Sequence, residues 1–224
     1  MPGYLIHYAV CGGKSLQNRE FVLGVEAPDI LKKYYKMYGD AACKKWESIC
    51  YGTSAPEYAE FALRAQQKET LASTDGLHYG VSSSPNVRLY WQSLSEMKKY
   101  RPFYRGYLWH LLTDRLLYAY LDIDSKFEKS LERYNGNDIE EFRKVEVEKL
   151  HKDWDMINAC IHERYLEIAL TPEVEELGVV KYLAKGELTY VDEELVFALI
   201  KFMRSFDPLE SEMDPIIEEI MRVA

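Results

Sequence analysis

From Gly106 to Leu121 the chain reads Gly-Tyr-Leu-Trp-His-Leu-Leu-Thr-Asp-Arg-Leu-Leu-Tyr-Ala-Tyr-Leu, apolar almost throughout and interrupted by one imidazole and one carboxylate a helical turn apart. At about 100° per residue, a helix sets His110 and Asp114 on one face with Gly106, Leu117 and Leu121, while Trp109, Leu111, Leu112 and Leu116 cover the other sides. A helix apolar on nearly every side is a buried one, predicted here over 103–121 and closed by Asp122-Ile-Asp124. A second long helix is predicted over 138–166. Leu150, Trp154, Ile157 and Ile161 form its apolar stripe, and His151, Asp155, Asn158 and His162 form a polar row at the stripe's edge.

The remaining pattern is also helical. Residues 3–13 read as a short helix stopped by Gly12-Gly13. Pro28 is read as ending the Phe21–Val25 segment and opening the next, which places Asp29 at a helix start. Residues 56–70 are amphipathic and helical, Ser73-Thr-Asp-Gly76 signals a turn just before His78, and Ser82–Pro85 is a loop entering a helix over 86–99. Later come a helix opened by Pro172, a short strand or extended linker at Leu188–Val191, and helices over 193–204 and 214–222. With about eight helices and almost no period-2 alternation, the expected fold is all-α. One domain spans 1–224, with a core over about 1–165 and a helical C-terminal extension over about 166–224.

The composition, 47% hydrophobic and 29% charged over 224 residues, is that of an ordinary globular chain, and the longest apolar runs fall short of a membrane span. A net charge of −9 and a pI near 5.2 oppose binding of a polyphosphate backbone, so long nucleic acid is not expected as a partner. The start Met-Pro-Gly-Tyr-Leu-Ile-His lacks the features of a secretory signal, which gives a cytoplasmic expectation. Cys11, Cys43, Cys50 and Cys160 lack Cys-x-x-Cys spacing and are expected to be plain apolar residues.

Burying a carboxylate costs several kcal/mol unless a cation or donors compensate, and a neutral imidazole beside it is a nitrogen ligand for a divalent metal. His7, Asp29, His78, His110 with Asp114, and His151 with Asp155 supply such groups, with no thiolate among them. That donor mix suits catalytic zinc, or manganese or iron. Plainer roles stay open for each: a helix-internal hydrogen bond for His110 and Asp114, a helix cap for Asp29, a turn for His78, a solvated flank for His151 and Asp155.

Four stretches in order, Met-Pro-Gly-Tyr-Leu-Ile-His7, Phe21-Val-Leu-Gly-Val-Glu-Ala-Pro-Asp29, the isolated His78 and Gly106-Tyr-Leu-Trp-His110-Leu-Leu-Thr-Asp114, resemble the zinc-dependent phospholipase C family, in particular its intracellular bacterial relatives. His151-x-x-x-Asp155 extends the likeness to about residue 155. The resemblance implies a multi-helix bundle of the phospholipase C and zinc nuclease type, with up to three clustered metals hydrolysing phosphodiesters. It implies that Asp29, His78 and His110 hold one metal and that Asp114 bridges it to another held partly by His7. His151 and Asp155 would hold a third, and Asp29 would act as general base. The chain departs from the family in lacking its mature N-terminal Trp and in carrying Tyr120 near the position of a further His.

The expected function is therefore hydrolysis of a phospholipid head group or a small soluble phosphoester by metal-activated water, with one to three ions. The alternative from a different class is a helical scaffold or binding module with at most one structural metal.

Overall fold

The computed structural model describes residues 3–38, 41, 44–45, 48–49, 79 and 84–224. Among them the fold is all-α, a bundle of eleven helices without a strand. In order these are α1 (Tyr4–Ala9), α2 (Gly13–Leu16), α3 (Arg19–Tyr38), α4 (Val87–Ser93), α5 (Glu96–Lys99), α6 (Pro102–Leu121), α7 (Ile123–Glu132), α8 (Ile139–Arg164), α9 (Pro172–Leu177), α10 (Glu193–Met203) and α11 (Met213–Val223). The helix expected over 56–70, the turn after it and His78 lie outside the described residues.

The apolar run forms α6, the axis of the bundle. Pro102 opens it, where a missing N–H costs nothing, and every residue from Phe103 to Asp114 is buried. Helices α1, α3, α4, α7, α10 and α11 pack around it. Contact with α3 is closest at two glycines: a Cβ on Gly24 would meet the Phe103 carbonyl oxygen at 2.0 Å, and one on Gly106 would meet that of Phe21 at 2.1 Å. Only glycine lets the two backbones approach this far.

Three local expectations are corrected. Pro28 does not divide the N-terminal region; α3 runs through it, so Asp29 is a mid-helix residue rather than a cap. A proline inside a helix costs about 3 kcal/mol, but fully burying each large apolar side chain returns roughly 1.5–3 kcal/mol, and Phe21, Val22, Leu23, Val25 and Ile30 are all buried. The span 86–99 breaks at Leu94, whose backbone is extended, into α4 and α5. Asp122 does end α6, in a left-handed conformation (φ 50°) that Asp tolerates, but Ile123 then starts α7, a helix the pattern did not signal.

The chain beyond residue 165 packs onto the axis. Buried Arg105 donates through Nη1 to the carbonyls of Pro208, Leu209 and Ser211 at 3.2, 2.8 and 3.0 Å, and through Nε to that of Lys99 at 2.9 Å. Trp91 Nε1 donates to Asp214 at 2.9 Å. The buried Asp153 carboxylate accepts the backbone N–H groups of Thr189, Tyr190 and Val191, and Leu188–Val191 is a connection bent at Thr189 and Tyr190, not a strand. No described helix is long and apolar enough to cross a membrane.

Candidate metal centre

The face of α6 that carries Gly106, His110 and Asp114 is turned toward α3 and α1. Gly106 brings α3 against it, and one turn later His110 Nδ1 meets the Val25 carbonyl at 2.7 Å. A carbonyl only accepts, so Nδ1 carries the proton and Nε2 presents a lone pair. Val25 lies in the turn that Pro28 opens by withholding an N–H from the Gly24 carbonyl. Fixing a ligating imidazole through its other nitrogen is the usual support for a metal-binding histidine.

His7 arrives from α1. Its ring stacks on that of His110, with centroids 3.9 Å apart and planes 10° apart. Two imidazolium rings at that distance would repel, so the two rings are not both protonated. Asp114 spans both: His7 Nε2 lies 3.4 Å from its Oδ1 and His110 Nε2 lies 3.4 Å from its Oδ2. These separations exceed the usual hydrogen-bond range of about 2.7–3.2 Å. They match the spacing of two ligands each about 2.1 Å from one tetrahedral ion, roughly 3.4 Å. One ligand atom from each of His7, His110 and Asp114 falls within 4.8 Å of the others, and each residue is 1% exposed. The group could hold a metal ion, and two nitrogens plus a carboxylate leave a fourth position free, as in catalytic zinc sites.

The electrostatics agree with the geometry. Burial alone would lower the His110 pKa, but the negative charges of Asp114 and Asp29 and the Val25 carbonyl outweigh it and hold the group above its ordinary value. A cation is therefore favoured at this point of the core.

Asp29 stands one turn beyond Val25 on α3 and is 4% exposed. With Tyr4 it lines a cleft of about 220 Å³ that also takes in His151 and Asp155 of α8. The structure thus brings His7, His110 and Asp114 into one cluster with Asp29 beside it. His151 and Asp155 share the cleft with Asp29 but stand outside the cluster. Desolvation lowers the His151 pKa, keeping the ring neutral, and raises that of Asp155 against the charges of Lys181 and His151. Of the rest of the polar row, Asn158 is buried and His162 is exposed beside the Tyr182 ring. Tyr120 is exposed beside Leu199, Phe202 and Val223, away from the cluster.

Two neighbours of the site escaped the sequence reading although i, i+4 spacing pointed to both. Tyr118 continues the row Gly106, His110, Asp114; burial and the charges of Asp114, Asp124 and Asp29 push its phenol well up, so it stays a hydrogen-bond donor. Lys33 follows Asp29 by one turn and lines the same cleft. Cys11 is buried and donates from Sγ to the His7 carbonyl at 2.8 Å, tying the helix that carries the ligand.

Comparison with family models, with curated proteins and with solved structures gives no match.

Proposed function

We propose that the chain is a metal-dependent phosphoesterase whose reaction centre is the His7, His110 and Asp114 cluster at the Asp29 end of the cleft. The observation that carries this reading is the junction itself: a buried, metal-competent donor set adjoins, through one carboxylate, a cleft large enough for a small ester. The resemblance of the His7, Asp29 and Gly106–Asp114 stretches to zinc-dependent phospholipases C supports the same reaction class.

In this account His7 and His110 would each offer a nitrogen and Asp114 a carboxylate oxygen to one divalent ion, zinc by donor type. Such an ion, when bound, supplies a Lewis acid for a phosphoryl oxygen and makes water acidic enough to ionise near neutral pH. The Val25 carbonyl holds the His110 ring in its ligating tautomer. Asp29, facing the cleft, accepts the proton of the attacking water. The buried walls keep bulk water from competing. The substrate is a phospholipid head group or a small soluble phosphoester.

Hydrolysis of bis(p-nitrophenyl) phosphate by zinc-loaded protein tests the proposal. Asp29→Asn and His110→Ala each lower kcat by about 100-fold or more. Unchanged turnover in both variants contradicts it.

A second reading, a scaffold with one structural ion, is favoured by how completely the three ligands are buried. It requires stoichiometric, stabilising metal with no hydrolysis of any phosphoester, whereas the proposal requires both the metal and hydrolysis.

A further inference from the structure

The part of the cleft around α8 is built unlike its Asp29 end. Lys33 lines it from α3, and Lys181 lines it from the segment that follows α9. That segment lies along α8 through two hydrogen bonds: Leu183 N donates to the Asp155 carbonyl at 3.1 Å, and Asn158 Nδ2 donates to the Lys181 carbonyl at 3.2 Å. Asn158 is 3% exposed, so the anchor of the Lys181 backbone is itself fixed in the core. Neither lysine makes an ion pair with a carboxylate among the described residues. The charge of Lys33 is felt at His151 and that of Lys181 at Asp155. Trp154, also lining the cleft, has a buried Nε1–H with no acceptor among the described residues, a group that costs free energy until an oxygen meets it.

Two cations and an unmet N–H line one small cleft, whose wall also carries the carboxylates of Asp29 and Asp155. Both lysines line the cleft, whereas His7, His110 and Asp114 do not, so an anion they hold lies outside the cluster. We infer that Lys33, Lys181 and Trp154 bind a second anionic group of the substrate, so that the substrate is a small phosphoester carrying a carboxylate or further phosphate besides the scissile one. The inference rests on the phosphoesterase reading for the word substrate, while the anion site itself stands on these three residues alone. It favours a water-soluble ester over a choline lipid, whose head group would bring a cation to two ammonium groups.

Two assays on the full chain separate the claims. In the first, zinc-loaded protein is given the p-nitrophenyl phosphodiesters of glycolate and of ethanol, which differ by one carboxylate. The wild type prefers the glycolate ester by about tenfold in kcat/KM, mostly through KM, as expected for one charge-assisted contact. Lys33→Met and Lys181→Met lose that preference. Hydrolysis of both esters without preference, and with no change in the variants, overturns the anion site and leaves the hydrolase reading standing. In the second, inorganic phosphate is titrated calorimetrically into metal-free protein. Binding at least about tenfold weaker in Lys33→Met and Lys181→Met, but not in Arg88→Met on a remote surface, supports the site even if neither ester is hydrolysed, an outcome that removes the hydrolase reading alone. Equal binding in all four proteins, or none in the wild type, overturns it. Circular dichroism melts confirm that each variant is folded.

Discussion

Asp114 is the residue on which the centre turns, since each of its oxygens faces a different imidazole nitrogen. Asp114→Asn keeps the shape but removes the charge and one of the two acceptor oxygens. Expected is loss of bound metal by 10-fold or more in affinity, on the order seen when a ligand's support is removed, measured by competition with a chromogenic chelator. A second carboxylate governs pH behaviour. Glu26, fully buried on α3, accepts from Tyr8 and from Thr171, yet its Oε2 has no partner among the described residues, and burial raises its pKa to about 7 from 4.5. A carboxyl whose folded value is raised holds its proton more tightly folded than unfolded. Its contribution is complete below pH 4.5 and is lost as pH rises through about 7. Denaturant unfolding of metal-free protein at pH 5 and pH 8 is expected to show a fall on the order of 2–3 kcal/mol, reduced in Glu26→Gln. A wild type whose stability is flat over this range contradicts the assignment. The imidazoles and acids were legible as residue types, because His and Asp in an apolar run demand compensation. Glu26 was not, because nothing in its local sequence distinguishes a buried glutamate from a solvated one.

At the scale of elements, the pairing of α3 with α6 places Val25 against His110, and two glycines permit it. Gly24→Ala or Gly106→Ala pushes a methyl into a carbonyl of the partner helix, with a loss of about 3 kcal/mol or failure to fold, read from urea unfolding. The buried helix α6 was legible to within a residue or two because its apolar positions leave no side for water. Asp29 was misplaced for a specific reason: the rule that proline ends a helix is local, and the packing of α3 overrides it. Helix α7 was missed because only Ile123 is buried on it, with Phe127 packed beside, too little apolar signal among charged residues. Asp153, which the helical pattern did not single out, is the acceptor for three successive backbone N–H groups. Asp153→Ala is expected to cost about 2–3 kcal/mol and to raise amide exchange at residues 189–191.

At the scale of the molecule, the chain after residue 165 covers the axis with Val196, Leu199, Ile200, Met203, Ile216, Ile217 and Ile220, all buried. A chain truncated at 165 leaves the α6 surface bare and is expected to be insoluble, checked by expression and gel filtration. The same C-terminal half supplies Lys181 to the cleft, so the site draws on residues from position 3 to position 181. Convergence over such a span is a property of the fold, and the spacing of motifs could only suggest it.

The most direct measurement is metal content and its effect on stability. Protein purified without chelator, and metal-free protein titrated with zinc, manganese or iron, are compared with Asp114→Asn by elemental analysis and thermal melting. The account predicts about one tightly held ion per chain in the wild type, a Tm that rises by several degrees on loading as expected for a ligand held well above its Kd, and neither effect in the variant. A wild type that retains no metal, and whose Tm none of the three ions raises, contradicts it.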